Sequence, residues 1–149
     1  MRFRVAKEED IKSLSKLLKE LFSLEKEFVP NEALQIKALE TIIKDEEVGH
    51  IIVCEIENEI VAMVNLLYSI STALGNRVVI LEDMIVSSKC RDKNIGSKLL
   101  DFAKEFAKSQ GIKRITLLTD NDNFKAHKFY EKNGFKKSSM IVFRTFLNE

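Results

Sequence analysis

Proline occurs once in the 149 residues, at Pro30, and cysteine and histidine only twice each. Cys54 and Cys90 lack zinc-like spacing, so they read as reduced thiols of a cytoplasmic protein and not as a disulfide frame. His50 and His127 are too few and too distant for a histidine-rich metal site, and no metal is expected. No apolar run approaches the ~20 residues that a bilayer span requires. Residues 1–7 carry no hydrophobic stretch resembling a secretion signal, so no membrane partner is expected either. What the chain does have is 45% apolar and 32% charged residues, a balance that excludes a disordered polymer. This length predicts one domain over residues 1–149, able to bury roughly two-thirds of its unfolded surface without staples.

The formal net charge is +1, which argues against a dedicated nucleic-acid binder, but the sum hides its distribution. Residues 1–88 hold 10 basic and 16 acidic side chains, a net of −6, and residues 89–149 hold 14 and 7, a net of +7. The change is abrupt at Lys89, with Arg91, Lys93 and Lys98 close behind. Such a pattern suits a second half that receives a polyanion and a first half that prefers a cation. A solvated basic helix face accounts for the charge equally well. Nucleic acid is the weakest reading, because the basic half lacks aromatic residues interleaved on a strand face.

Periodicity places the elements. Residues 2–6 read as a strand, followed by Glu8, Glu9 and Asp10 at a helix start. Ile11, Leu14, Leu17, Leu18, Leu21 and Phe22 repeat at helical spacing. Asn31 caps a second helix after Pro30. Residues 51–53 and 60–64 are strands joined by a hairpin turn at Glu57-Asn58-Glu59. Residues 69–76 read as a polar loop and 78–86 as a strand. Residues 95–110 form an amphipathic helix stopped by Gly111, and 115–118 a buried parallel strand. A helix over 123–133 ends at Gly134, and 141–147 is expected to be a final strand. The pattern is one mixed α/β domain.

Two segments carry chemistry. Between a strand and an amphipathic helix lies Arg91-Asp92-Lys93-Asn94-Ile95-Gly96-Ser97, where turn-capable residues let backbone N–H groups converge at a helix N-terminus and attract phosphate. Asn94 tolerates a left-handed backbone, and Gly96 permits close approach. An ordinary strand–helix turn would need no more than this. The second segment runs from Asn123 to Phe135, with Ala126, Phe129, Tyr130 and Asn133 sharing roughly one helix face. Ordinary packing would account for that face.

Together the two segments resemble the GCN5-related N-acetyltransferase (GNAT) superfamily. The family's pyrophosphate signature, Gln/Arg-x-x-Gly-x-Gly/Ala, is matched by Arg91-Asp92-Lys93-Asn94-Ile95-Gly96, with Asn94 where the first glycine is usual. The family pattern Asn-x-x-Ala-x-x-Phe-Tyr-x-x-x-Gly-Phe is matched by Asn123 through Phe135. The resemblance implies the acyl-CoA N-acyltransferase fold: a mostly antiparallel central sheet with one splayed parallel pair and flanking helices. It also implies acetyl-CoA as acetyl donor. Backbone groups of Ile85, Val86 and Ser87 would pair with the pantetheine arm. The backbone from Arg91 through Asp92, Lys93, Asn94, Ile95, Gly96 and Ser97 would hold the pyrophosphate, and Asn123 would touch the cofactor arm. Tyr130 matches the family tyrosine that protonates the departing thiolate.

A base is also needed, because an amine of pKa near 10 is only ~0.1% neutral at pH 7. Glu82 and Asp83 are two carboxylates in an otherwise apolar strand, where burial without a partner is costly. Strand alternation aims them at opposite faces. The expectation is Glu82 as base and Asp83 as holder of a cationic substrate, with a purely structural Asp83 as the competing account. The expected activity is direct acetyl transfer to a primary amine of a small molecule. The alternatives are a protein lysine or N-terminal acetyltransferase and a non-catalytic CoA-binding module. Homodimers are common among such folds, and nothing in the sequence fixes an interface.

Overall fold

A computed structural model describes residues 1–24 and 31–147, without the side chains of Arg91 and Asp92. Phe28 and Pro30 therefore lie outside the described residues. Residues 1–118 form one compact unit and residues 119–149 a second, and each is described by itself.

In the first unit, five strands follow one another across a single sheet in chain order: β1 (Arg2–Val5), β2 (Gly49–Ile56), β3 (Glu59–Ser71), β4 (Asn76–Val86) and β5 (Ile115–Leu117). The first three pairings are antiparallel, and β4 with β5 is parallel. The helices are α1 (Ile11–Leu24), α2 (Glu32–Lys44) and α3 (Ile95–Ser109). Period-2 alternation divides the sheet into two faces. Ile51, Val53, Met63 and Ile85 form one core with Leu14, Leu17 and Leu18 of α1 and Leu39 and Ile42 of α2. On the opposite face Phe3 stacks on Phe102 of α3 with ring centroids 5.9 Å apart, and His50 meets Phe106 at 4.9 Å.

Local backbone chemistry explains most element boundaries. Asn31 accepts the Leu34 N–H at 3.2 Å and caps α2. Glu57 and Asn58 both take positive φ, +50° and +65°, as a tight hairpin between right-twisted strands requires. Gly111 (φ +77°) ends α3 in the left-handed region, which glycine enters without steric cost. The β3–β4 hairpin is longer than the sequence suggests. Its ladder runs out to Ser71↔Asn76, so the loop expected at 69–76 shrinks to the four-residue turn 72–75. There the Arg77 guanidinium lies over the Tyr68 ring, 4.4 Å from its centroid.

The second unit contains α4 (Phe124–Lys132), capped by Asn123, whose Oδ1 accepts the Ala126 N–H at 3.1 Å. Gly134, at φ +93°, follows its end. The strand expected at 141–147 is not formed. A strand needs a neighbouring edge for its N–H and C=O groups, and this segment joins no ladder among the described residues. Its apolar side chains Met140, Ile141, Phe143, Phe146 and Leu147 are exposed, so no buried face selects an alternating conformation.

One polar cluster holds the start of the chain. Arg4 donates to both carboxylate oxygens of Asp10, at 2.7 and 3.0 Å, and to Glu55 at 3.1 Å. Asp10 also accepts the Lys7 N–H at 2.8 Å. Hydrogen bonding from Arg4 holds the Asp10 carboxyl below the usual carboxylate range, against the opposing effect of burial. That contribution is present above the unfolded carboxylate value near ~3.9 and is lost as pH falls through the lower folded value. Arg4→Met leaves Asp10 charged and buried without its partner, and should cost about 3 kcal/mol at neutral pH. Urea denaturation from pH 7 down to about pH 2 checks this. The gap between wild type and variant should close as Asp10 protonates, and a gap independent of pH would contradict it.

Candidate active site

The site is built around the end of β4. Pairing between β4 and β5 begins at Val79↔Ile115 and ends at Leu81↔Leu117, whereas β4 continues to Val86. The carboxyl ends of parallel neighbours are the usual position for a ligand in an α/β sheet.

The strand is irregular at this point. Met63 pairs with Ile85 and Asn65 with Glu82, so Asp83 and Met84 of β4 together face the single residue Val64 of β3. This is a β-bulge, a feature that re-aims side chains. Asp83 sits at φ +53°, a left-handed conformation that costs an L-residue about 1 kcal/mol. The bulge corrects the expectation that Glu82 and Asp83 point to opposite faces, because alternation stops where the extra residue enters. Both carboxylate residues instead meet Asn65: Glu82 is its ladder partner, and Asp83 Oδ2 accepts from Asn65 Nδ2 at 2.6 Å. Glu82 is exposed and Asp83 half-buried.

After Val86 the chain turns through Ser87. The Ser87 N–H donates to the Val61 carbonyl at 2.7 Å, its carbonyl accepts from Cys90 N–H at 2.9 Å, and its Oγ accepts from Lys89 N–H at 3.4 Å. Ser87 is thus committed to closing the turn, and its N–H is already taken by β3. A 3₁₀ turn, Ser88–Lys93, follows. Asn94 then adopts φ +58° and ψ +26°, the left-handed conformation expected of it, and α3 begins at a buried Ile95. Gly96 and Ser97 occupy the first turn of α3, half-buried, while Lys93 and Lys98 are exposed. The backbone between Lys93 and Ser97 therefore delivers a helix N-terminus just past the strand end, with cationic side chains beside it.

Sequence reasoning missed two residues here. Glu20 of α1 accepts the Ser88 N–H at 3.1 Å and ties that helix to the turn after β4. Asn65 is 3% exposed, and its signal was available: it is the one polar residue in the run Ile60-Val61-Ala62-Met63-Val64-Asn65-Leu66-Leu67.

In the second unit Asn123 is exposed and spends its carbonyl oxygen on the α4 cap. Tyr130 is half-buried between Phe129 and Phe135, at centroid distances of 5.3 and 5.7 Å. Burial pushes its hydroxyl above the usual phenol value, so the neutral, proton-bearing form is favoured. Burial likewise raises the Cys54 thiol and keeps it unreactive. Among the described residues, no group of three or more His, Cys, Asp or Glu side chains is arranged to hold a metal ion. No helix among them is long and apolar enough to cross a membrane.

A model of the acetyltransferase (GNAT) family matches residues 12–135, spanning β4, the turn at Asn94 and α4. The chain belongs to the GNAT family. It is accordingly an N-acetyltransferase, of a family that generally uses acetyl-CoA. Among GNAT relatives, an uncharacterized N-acetyltransferase of Bacillus subtilis, YhfO, is 30% identical over 145 residues, covering 95% of this chain and 94% of that one. An aminoalkylphosphonate N-acetyltransferase of Salmonella typhimurium is 31% identical over 80 residues, 54% of this chain and 52% of that one. The crystal structure of a possible acetyltransferase from Clostridium difficile has the same fold, with a TM-score of 0.90 over 99% of this chain and 98% of that one at 17% identity.

Proposed function

We propose that this GNAT enzyme moves an acetyl group from acetyl-CoA directly to a primary amine of a small molecule, acting as one domain over residues 1–149. The observation that carries the reading is the bulge in β4. It gathers Glu82 and Asp83 around Asn65 where the strand outruns β5, immediately before the left-handed turn into α3.

The residues present fit acetyl-CoA. The β4 end at Ile85 and Val86 would line the pantetheine arm, with Ser87 shaping the turn. The backbone of Arg91, Asp92, Lys93, Asn94, Ile95, Gly96 and Ser97 would receive the pyrophosphate, and Asn123 would meet the arm from α4. When bound, acetyl-CoA supplies the acetyl group as a thioester. Glu82 accepts the proton that the amine must lose before it can attack. Asp83 holds the amine as a cation until then. Backbone N–H near Ile85 and Val86 steadies the negative charge that develops on the carbonyl oxygen. Tyr130 donates its proton to the departing thiolate. No covalent acyl-enzyme is needed, since positioning the two reactants supplies the advantage.

A small acceptor is supported by the aminoalkylphosphonate named for the Salmonella relative, and recognition of its ammonium group by the net −6 of residues 1–88. The cytoplasm is the compartment we assign, in keeping with the free thiols of Cys54 and Cys90.

The test pairs calorimetric titration of acetyl-CoA with thiol release in the presence of spermidine, lysine, kanamycin or a lysine-containing tetrapeptide. Acetyl-CoA should bind, and at least one small amine should accelerate release well above the peptide. Failure of acetyl-CoA to bind, together with no acceleration by any amine, would overturn the reading. Acceleration by the peptide alone would replace the acceptor class with protein.

A further inference from the structure

Asn65 is the least explained buried polar residue in the sheet. It alternates with Met63 and Leu67 on the face that packs against α1 and α2. Its Nδ2 reaches the Asp83 carboxylate at 2.6 Å, which fixes the amide orientation, because an oxygen there would confront another oxygen. Its Oδ1 is buried and accepts no hydrogen bond among the described residues. A buried acceptor left unsatisfied weakens a fold, and an apolar side chain of the same size would remove the penalty. The bond to Asp83 and the unmet demand of Oδ1 oppose one another, so the amide gives little net stability for its burial.

The other half of the pair is equally costly on its own. Asp83 occupies a left-handed backbone at the bulge, a conformation that a glycine would adopt with less strain. Two locally unfavourable features thus meet in one short hydrogen bond at the end of β4, beside Glu82. Strain and unmet polar demand concentrated at one point mark a constellation retained for function.

We infer that Asn65 is a positioning residue, whose amide N–H locks the Asp83 carboxylate in the orientation that receives the acceptor amine. The inference rests on the reading of Asp83 as the holder of a cationic acceptor. Asn65 acts through Asp83 and touches neither the thioester nor the acceptor. A charge-assisted hydrogen bond from a buried, rotationally fixed amide anchors one oxygen of that carboxylate, Oδ2, at 2.6 Å. The acceptor then meets an anion whose direction is already set, and less ordering is required on binding.

A double-mutant cycle tests this, with the fastest amine of the panel above as probe. Asn65→Leu should raise the KM for the amine about tenfold and leave the KM for acetyl-CoA within about twofold. The thermal midpoint should fall by no more than a few degrees, since removing the orphaned acceptor offsets part of the lost bond to Asp83. In the Asp83→Asn background the same Leu substitution should change the amine KM less than about twofold, because the oriented charge is already absent. An Asn65→Leu effect of equal size in both backgrounds would overturn the inference, and so would a parallel rise in both KM values with a midpoint lowered by more than a few degrees. If Asp83→Asn weakens the amine but Asn65→Leu does not, only the role of Asn65 falls. If Asp83→Asn itself leaves the amine KM unchanged, the reading of Asp83 falls and Asn65 with it.

Discussion

Replacing Tyr130 by phenylalanine should lower kcat about 100-fold while the acetyl-CoA dissociation constant stays within about twofold. The substitution removes one hydroxyl and keeps the ring that packs between Phe129 and Phe135, so α4 should fold as before. What disappears is the proton for the thiolate. Expelled unprotonated, that thiolate is a poorer leaving group, and the loss falls on turnover and not on binding. The direction of the hydroxyl's shift fits the role. Burial keeps Tyr130 protonated beyond the ordinary phenol value near ~10, so the acid is fully present across the neutral range. Steady-state kinetics with calorimetry on the same variant separates the two quantities. Unchanged turnover would remove Tyr130 from the mechanism, and a parallel loss of acetyl-CoA affinity would make it a packing residue.

Glu82→Gln should lower kcat/KM for the amine about 100-fold at neutral pH, and the deficit should shrink as pH approaches the amine's own value. The reasoning is a matter of populations. At pH 7 only ~0.1% of an ordinary amine is neutral, so the enzyme must remove the proton; near pH 10 about half of the amine is already neutral in solution. A full pH profile of both proteins distinguishes a base from a residue that merely helps binding. Parallel profiles at all pH values would exclude Glu82 as the base. The substitution is nearly isosteric at an exposed position, so the ladder pairing with Asn65 should survive.

Features that depend on one residue's own backbone preference were legible in the sequence. Asn31 as a cap, Glu57-Asn58 as a hairpin, Asn94 as a left-handed residue and Gly111 as a stop all follow from local chemistry. The amphipathic repeats of α1 and α3 were legible for the same reason, since a helix's buried stripe is written within the helix. The bulge at Asp83 was not. An aspartate in a strand and an aspartate at φ +53° look alike in sequence, and the alternation rule assumes that no residue is inserted. The Asn65–Asp83 pair joins residues on different strands, and its existence depends on the register of β3 against β4. The segment 141–147 failed in the opposite way. Its apolar residues suit a strand, but a strand is completed by a partner edge, and propensity cannot supply one.

The charge boundary near Lys89 gains a structural meaning from β4. Glu82 and Asp83 stand on one side of the turn at Ser87, and Lys89, Lys93 and Lys98 follow on the other. The net −6 and +7 halves therefore divide at the strand end itself, between the carboxylates assigned to the amine and the backbone assigned to the pyrophosphate. A whole-chain charge of +1 conceals that division completely.

The central claim is transfer of the acetyl group to an amine, and mass spectrometry of the reaction mixture tests it most directly. Purified protein is incubated with acetyl-CoA and the panel of amines, and free thiol is counted alongside acetylated products. The account predicts one acetylated small amine for each thiol released, joined through nitrogen, with no acetyl group left on the protein. Thiol released without an acetylated amine, or an acetyl group held covalently by the protein, would contradict it.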